Sequence, residues 1–323
     1  MIGKQLEVGV AVEATRGTAP ATVGKWVRNN TVNLIERAEH ANDEATRGVF
    51  EDTEGRRTVK TWVDGDLEMP LFVESFGYLA YNLYGDVVSA IDSGSIYKHI
   101  FNLEQSSIAP SLSFFVKDGE VQELAITNSH INTLEISATP DEYVKVSTSI
   151  IAQKAEDSVA VPSYTSETDF IGKEVKIKLS DTEAGLTGAT AICVKDLTLS
   201  FDKGLIADYC LGNINPADIY VSKMSIEGSF TKNFDDEVYK DLFLGSGKKY
   251  MSIEIIGDTV ISGSTYPSIK VVLNKVQITG WDRSGGKDDL VTEDISFKAY
   301  YNSGDGKASE MTIVNSTENY KLA

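Results

Sequence analysis

Along most of this chain apolar and polar residues alternate one for one, the period of a strand with one face buried. Arg57 to Met69 is the clearest run, with Val59, Thr61, Val63, Gly65 and Leu67 sharing a face. Strands are predicted over 25–38, 57–69, 110–116, 121–127, 131–137 and 143–152, with Asp118-Gly119 and Pro140-Asp141 as turns. In the second half they are predicted over 174–179, 191–201, 221–231, 250–256, 268–280 and 291–301, with a short closing strand over 311–314. Asp181 to Gly185, Gly257-Asp258, Gly285-Gly286 and Gly304 to Gly306 carry the turn chemistry between them.

A helical period shows in two places. From Leu71 to Tyr84, residues Phe72, Phe76, Leu79, Ala80 and Leu83 fall on one side, with Pro70 expected in the first turn and Gly77 as a weak point. From Asp235 to Leu244, two aspartates suit the positive end of the helix dipole and Gly245 is the expected stop.

These helices sit in matching places. Thr61-Trp-Val-Asp-Gly-Asp-Leu-Glu-Met-Pro precedes the first, and Met224-Ser-Ile-Glu-Gly-Ser-Phe-Thr-Lys-Asn precedes the second. Each helix leads into an alternating strand, Ser111 to Val116 or Ser252 to Gly257. Gly65 and Gly228 lie about half a chain apart, which suggests a strand–helix–strand module used twice. At 323 residues, two moderate cores are expected. The predicted units are 1–156 and 173–323, with 157–172 as linker. The fold class is mainly β, a sandwich or barrel that is duplicated or carries a large insertion, with one short helix in each half.

Four stretches resist a packed assignment: 5–24, 39–55, 157–172 and the tail from Gly304. The second is a long polar loop between two strands with Val49-Phe50 in its middle, and docking onto another surface is the favoured reading.

Composition excludes several functions. No apolar run approaches the roughly 20 residues that span a bilayer, and the first residues lack a signal peptide's apolar core. Cys193 and Cys210 are the only cysteines; Cys193 reads as a small core residue, and a disulfide or metal site is not expected. The formal net charge of -18 would repel a nucleic-acid backbone. It fits either a highly soluble protein or a surface past which DNA moves without sticking.

Catalytic patterns are missing. His40, His99 and His130 have no metal-ligand spacing, and Gly245-Ser-Gly-Lys-Lys follows a helix where a phosphate loop would precede one. The pairs Asp64/Asp66, Asp235/Asp236 and Asp288/Asp289 read as a strand face, a helix start and a turn. Neither an enzyme nor a cofactor is expected.

The segment Gly9-Val-Ala-Val-Glu-Ala-Thr-Arg-Gly-Thr-Ala-Pro resembles the opening of tail tube (major tail) proteins of long-tailed, non-contractile bacteriophages, where a Glu-Thr-x-x-Gly-Thr-x-Pro-like segment precedes the first long strand. Ala14 departs from that pattern. The similarity continues through the Gly65 strand and its helix, Asp202 to Leu205, Leu211 to Ile219, and the Gly228 strand with its helix. Simple tube proteins are about half as long.

The resemblance implies a non-enzymatic virion protein, assembled in the host cytoplasm into rings of typically six copies. Two modules per chain leave three copies as a further option. The rings stack into a hollow tube that conducts genomic DNA without binding it, in company with tape-measure, tail-terminator and distal tail proteins. Asp64, Asp66, Glu68 and Glu227 become candidates for the lumen wall. Arg16, Thr18, Arg47, Val49, Phe50 and Glu51 become candidates for contacts between rings, with the terminal arms. The alternatives are a carbohydrate-binding or adhesin-like sandwich, with Trp26, Trp62 and Trp281 as its platform, or another tail component such as a distal tail protein.

Overall fold

A computed structural model describes residues 3–46, 48–51 and 53–321. The first half contains β1 (Leu6–Val12), β2 (Lys25–Val27), β3 (Thr31–Asn42), β4 (Arg56–Pro70), helix α1 (Val73–Tyr84), β5 (Gly85–Ser93), β6 (Ile96–Leu103), β7 (Leu112–Asp118), β8 (Gln122–Ala138), β9 (Lys145–Ala152) and β10 (Lys154–Asp157). The second contains β11 (Val175–Ser180), β12 (Val194–Asp202), β13 (Leu205–Asp208), β14 (Asp218–Val221), β15 (Ser225–Asn233), helix α2 (Val238–Gly245), β16 (Lys249–Ile256), β17 (Ser268–Ser284), β18 (Thr292–Ala299) and β19 (Ser309–Asn315). All the paired strands run antiparallel. The mainly β prediction holds.

Pairing follows one order in both halves. In the first, β1 pairs β7, then β8, β9, β4 and β3 follow in turn. In the second, β11 pairs β16, then β17, β18, β15 and β12 follow. The fine register agrees too. Gly65 lies opposite Ile150 and Leu34, and Gly228 lies opposite Phe297 and Leu199. Bulges fall between Ile131 and Thr133 on β8 and between Ile278 and Gly280 on β17. The halves join edge to edge where β8 pairs β12, and again where β6 pairs β19. Most of their buried apolar residues form one cluster that draws on both halves, from Val8 to Tyr320.

The long strand β8 serves two sheets. The first part of β8 pairs β7 and β10, and the rest pairs β9 and β12. The bend comes at Asn128, whose φ of 48° is left-handed. A carboxylate holds it there. Glu13, buried, accepts from the Asn128 amide (2.8 Å), the Ser111 and Ser113 hydroxyls (2.6 and 2.7 Å) and the Gly17 amide (2.7 Å). A buried carboxylate is tolerated where its lone pairs are all engaged by donors like these.

Helix α1 is the centre of the first half, and every residue but Tyr78 is buried. Glu167 caps its start by accepting from the Ser75 amide at 2.8 Å. Gly85 ends it in a left-handed turn. Gly77, expected to weaken the helix, makes room for a ring: a Cβ there would stand 2.0 Å from Cζ of Tyr320. The Tyr320 hydroxyl donates to the Glu74 carbonyl at 2.9 Å and accepts from Asn315 Nδ2 at 2.6 Å. Helix α2 lacks such a cover. Of its residues only Tyr239 is buried, and Leu244 and Val238 face solvent.

The structure corrects several expectations. The 5–24 segment holds β1, buried on both faces and therefore without alternation. The 121–127 and 131–137 strands are one bent strand, and the 25–38 strand is two, β2 and β3. The loop at 39–55 begins as strand, since β3 runs to Asn42 opposite Arg56. Within 157–172, Phe170 is fully buried and Glu167 caps α1. The tail from Gly304 is tied down through β19 and Tyr320. Pro70 closes β4 rather than opening the helix, and Gly245 lies inside α2, with Ser246 as its left-handed cap. Cys193 is exposed, as is Cys210.

Lys203 is the least expected core residue. Only 2% exposed, it donates through Nζ to the Asn82 carbonyl in the last turn of α1. Burial, with the nearby charge of Arg16, pulls its ammonium down from 10.5 to about 7. Between those values the unfolded chain holds the proton that the folded chain has lost, so stability rises with pH through that window. From pH 7 to 9 this single group contributes roughly 2 kcal/mol. Urea denaturation at the two pH values should show that gain, and Lys203→Met should remove it. An unchanged pH slope in the variant would contradict the assignment.

Candidate functional site

One sheet crosses both halves in the order β3, β4, β9, β8, β12, β15, β18, β17. Directly opposed residues of an antiparallel sheet share a face. One row is therefore Thr31, Glu68, Ser147, Glu135, Ser200, Glu227, Lys298 and Gln277. The next row includes Asn33, Asp66, Ser149, Thr133, Asp202 and Ser225. The other face of the same strands carries Leu67, Leu134, Phe201 and Ile226, all buried. Asp64, Asp66, Glu68 and Glu227 thus come together on one polar face, three on β4 and one across the junction on β15.

The face is acidic, but not uniformly so. Arg37 Nε lies 2.8 Å from Asp64, and Trp62 Nε1 donates to the same carboxylate at 2.7 Å. Lys298 Nζ lies 2.6 Å from Glu227; its hydrogen bond holds that carboxyl below its ordinary range. Lys223 does the same for Asp202 at 2.6 Å. Asp66 is exposed and makes no ion pair among the described residues. Glu135, exposed, and Asp294, which accepts from Thr231 Oγ1 at 2.8 Å, add to the acids. Sequence reading missed Glu135, Asp202 and Asp294. The alternation of Thr133, Glu135 and Ser137 with Leu134 and Ile136 carried the signal for the first. What remains between the acids is largely serine and threonine, some of them bonded within the sheet, as Thr133 Oγ1 is to Ser149 Oγ at 2.7 Å.

Beyond the sheet, β3 and β4 continue as a two-stranded arm, because β9 covers β4 only from Val63 onward. The 209–217 loop braces this arm: the Thr61 amide donates to the Ile214 carbonyl at 2.8 Å. At the tip Phe50 is fully exposed, Val49 more than half exposed, and Glu51 open to solvent. Leu211 on the bracing loop is fully exposed as well. Arg47 lies outside the described residues. Thr18 is exposed, whereas Arg16 is spent within the chain, 2.6 Å from Asp218 and donating to the Ile219 carbonyl at 2.7 Å.

A family model described as phage tail tube protein matches residues 3–299, nearly the whole chain. The chain belongs to the phage tail tube protein family. No curated protein matches the sequence. Membership makes the protein a structural component of a phage tail and gives the acidic sheet face and the projecting arm an architectural context.

Other groupings read as structure within this tail tube chain. Asp235, Asp236 and Glu293 cluster as metal ligands would, yet the ammonium of Lys232 already stands among them, 3.0 Å from Glu293. His99 and His130 are buried, and burial holds both imidazoles below their ordinary range. The tryptophans form no common platform. Trp26 is buried, Trp62 binds Asp64, and Trp281 Nε1 donates to Glu293 at 2.7 Å. Among the described residues no helix is long and apolar enough to cross a membrane.

Proposed function

We propose that this chain is the repeating subunit of the tail tube of a long-tailed, non-contractile phage. Its copies form rings, the rings stack, and genomic DNA leaves the capsid along the acidic sheet face. The observation that carries this reading is the continuity of that face across both halves of a tail tube family chain. An acidic, hydroxyl-rich wall suits passage, because like charge keeps phosphates from condensing on it.

Each chain supplies two tube-like β units, 1–156 and 173–323, and 157–172 connects them. The shared pairing order and the matched positions of Gly65 and Gly228 support two units. Six units complete a ring. The Val49-Phe50-Glu51 tip, with exposed Thr18 nearer the N-terminus, meets the next ring, because the phenylalanine on this braced arm is fully exposed among the described residues. The remaining partners are the tail's own proteins at its two ends and the tape measure within.

Negative-stain microscopy of the concentrated protein tests this reading. Hollow tubes or stacked rings of constant diameter are expected. Dispersed monomers at every salt and protein concentration, even after seeding with preformed tail fragments, would contradict it.

A further inference from the structure

Two carboxylates of the second half converge on one buried amide. Asn274 of β17 donates through Nδ2 to Asp305 Oδ2 at 3.1 Å and to Glu183 Oε2 at 3.4 Å. Both acids are exposed, and among the described residues neither makes an ion pair. The lysines beside them are engaged elsewhere: Lys307 Nζ lies 2.7 Å from Glu310, and Lys249 Nζ lies 2.5 Å from Asp181. The Asp235, Asp236 and Glu293 cluster differs, because Lys232 supplies its positive charge. Asn274 is 1% exposed, and its Oδ1, buried with it, accepts from no donor among the described residues. An amide oxygen buried without a partner requires an explanation, and a bound ion is one.

The first half shows how the same place is satisfied by donors alone. Asn274 and Lys275 match Thr127 and Asn128, because the pairs Leu112–Ser129 and Phe114–Ile126 recur as Lys249–Val276 and Met251–Leu273. At Asn128 the carboxylate is Glu13, and both of its oxygens accept two donors each. In the second half donors gather on one oxygen only. Asp305 Oδ2 accepts from Tyr250 Oη at 2.9 Å and Asn302 Nδ2 at 2.7 Å, besides Asn274. Glu183 accepts only the long bond from Asn274. Two negative charges thus stand where the first half has one, with fewer donors to meet them.

We propose that Glu183, Asn274 and Asp305 form a calcium site. A half-turn of the Asn274 amide exchanges its two polar atoms and places Oδ1 where Nδ2 stands, facing both carboxylates. Oxygen donors of this kind suit calcium or magnesium, and their spacing decides between the two. Two oxygens about 2.4 Å from one calcium ion and roughly 80–90° apart are separated by about 3.1–3.4 Å. Octahedral magnesium, with bonds of about 2.1 Å, sets neighbouring oxygens about 3.0 Å apart. The spacings at Asn274, 3.1 and 3.4 Å, fit calcium, and water completes the shell from the exposed side. The ligands come from three separate segments: the turn after β11, β17 itself, and the turn between β18 and β19. No local spacing announces such a site, which is why the sequence showed only turns there. Calcium would pin those segments together, whether or not the chain is assembled.

Calorimetric titration of the purified chain with calcium chloride tests the site. One calcium ion per chain is expected, with a dissociation constant on the order of 10⁻⁴–10⁻³ M, as for weak calcium sites. Magnesium should bind at least about tenfold more weakly, since the spacing is too wide for it. Glu183→Gln and Asp305→Asn should each weaken calcium binding by at least about tenfold. Asp235→Asn, which removes an acid from the cluster that Lys232 already serves, should leave it unchanged. In urea denaturation, calcium should stabilise the parent and have no such effect on Glu183→Gln. Should Asp305→Asn fail to fold, Glu183→Gln decides alone, because Glu183 is exposed and makes a single long bond. No saturable binding up to about 10 mM calcium, well above the expected range, would overturn the site. Binding that survives Glu183→Gln would overturn it too, and would assign the ion to the acidic surface at large. Magnesium binding as tightly as calcium would overturn the choice of ion.

Discussion

Gly65→Ala is expected to destabilise the protein by about 3–5 kcal/mol, the range reached when a substitution forces a strained backbone apart. A Cβ at this position would stand 1.7 Å from the carbonyl oxygen of Asn33 on the neighbouring strand. That oxygen belongs to backbone, so relief requires β3 and β4 to separate. The counterpart in the second half meets the counterpart carbonyl: a Cβ at Gly228 would lie 2.5 Å from the oxygen of Thr198 and 2.4 Å from Cζ of Phe297. Gly228→Ala should therefore also destabilise, by about 2–3 kcal/mol, because the Phe297 ring can give way but the carbonyl cannot. Urea denaturation of both variants checks this. A loss below about 1 kcal/mol in Gly65→Ala would show that the strands separate freely and that the glycine has no steric task.

Phe50→Asp should act in the opposite manner, sparing the fold and removing assembly. The ring is fully exposed and touches no core, so unfolding stability should stay within about 0.5 kcal/mol of the parent. If the tip packs between rings as proposed, a charge placed there leaves a buried ion without a partner. The protein concentration needed for tubes is expected to rise at least about tenfold, roughly 1.4 kcal/mol per contact. Sedimentation of assembled against free protein measures it. Tubes forming at the parent's concentration would remove Phe50 from the contact between rings.

Much of the fold was legible where strands bury one face and leave the other wet. The runs around Gly65 and Gly228, both helices and the strands over 143–152 and 291–301 announced themselves by period. The repeat of Gly65 at Gly228 had a readable cause, since both positions admit a neighbouring carbonyl. The failures come where burial and alternation part company. Strand β1 is covered on both sides, with Val8 and Val10 in the main core and Ala11 packed in a smaller cluster with Trp26. The β5 and β6 hairpin went unread because β5 buries only Val87 and leaves its other large apolar side chains, Val88 and Ile91, exposed. Cys193 looked apolar by its neighbours, yet beside the isolated bridge of Ile192 to Ile177 it points to solvent.

The candidate surface was legible in part. Asp64, Asp66, Glu68 and Glu227 share a face because strand period alone dictates it within β4, but only the β8 to β12 junction brings Glu227 into the same row. The tip residues Val49 and Phe50 stood out as apolar within a polar stretch. Arg16 misled, because its partners Asp218 and Ile219 lie about two hundred residues away in sequence, and no local pattern announces such a contact.

The most direct test of the whole account is a cryo-electron microscopy reconstruction of the assembled protein. The account predicts a hollow tube whose inner wall is the sheet carrying Asp64, Asp66, Glu68 and Glu227, with the Phe50 tip buried against the next ring. A tube whose bore is lined by other elements, with those four carboxylates on its outer surface, would contradict it.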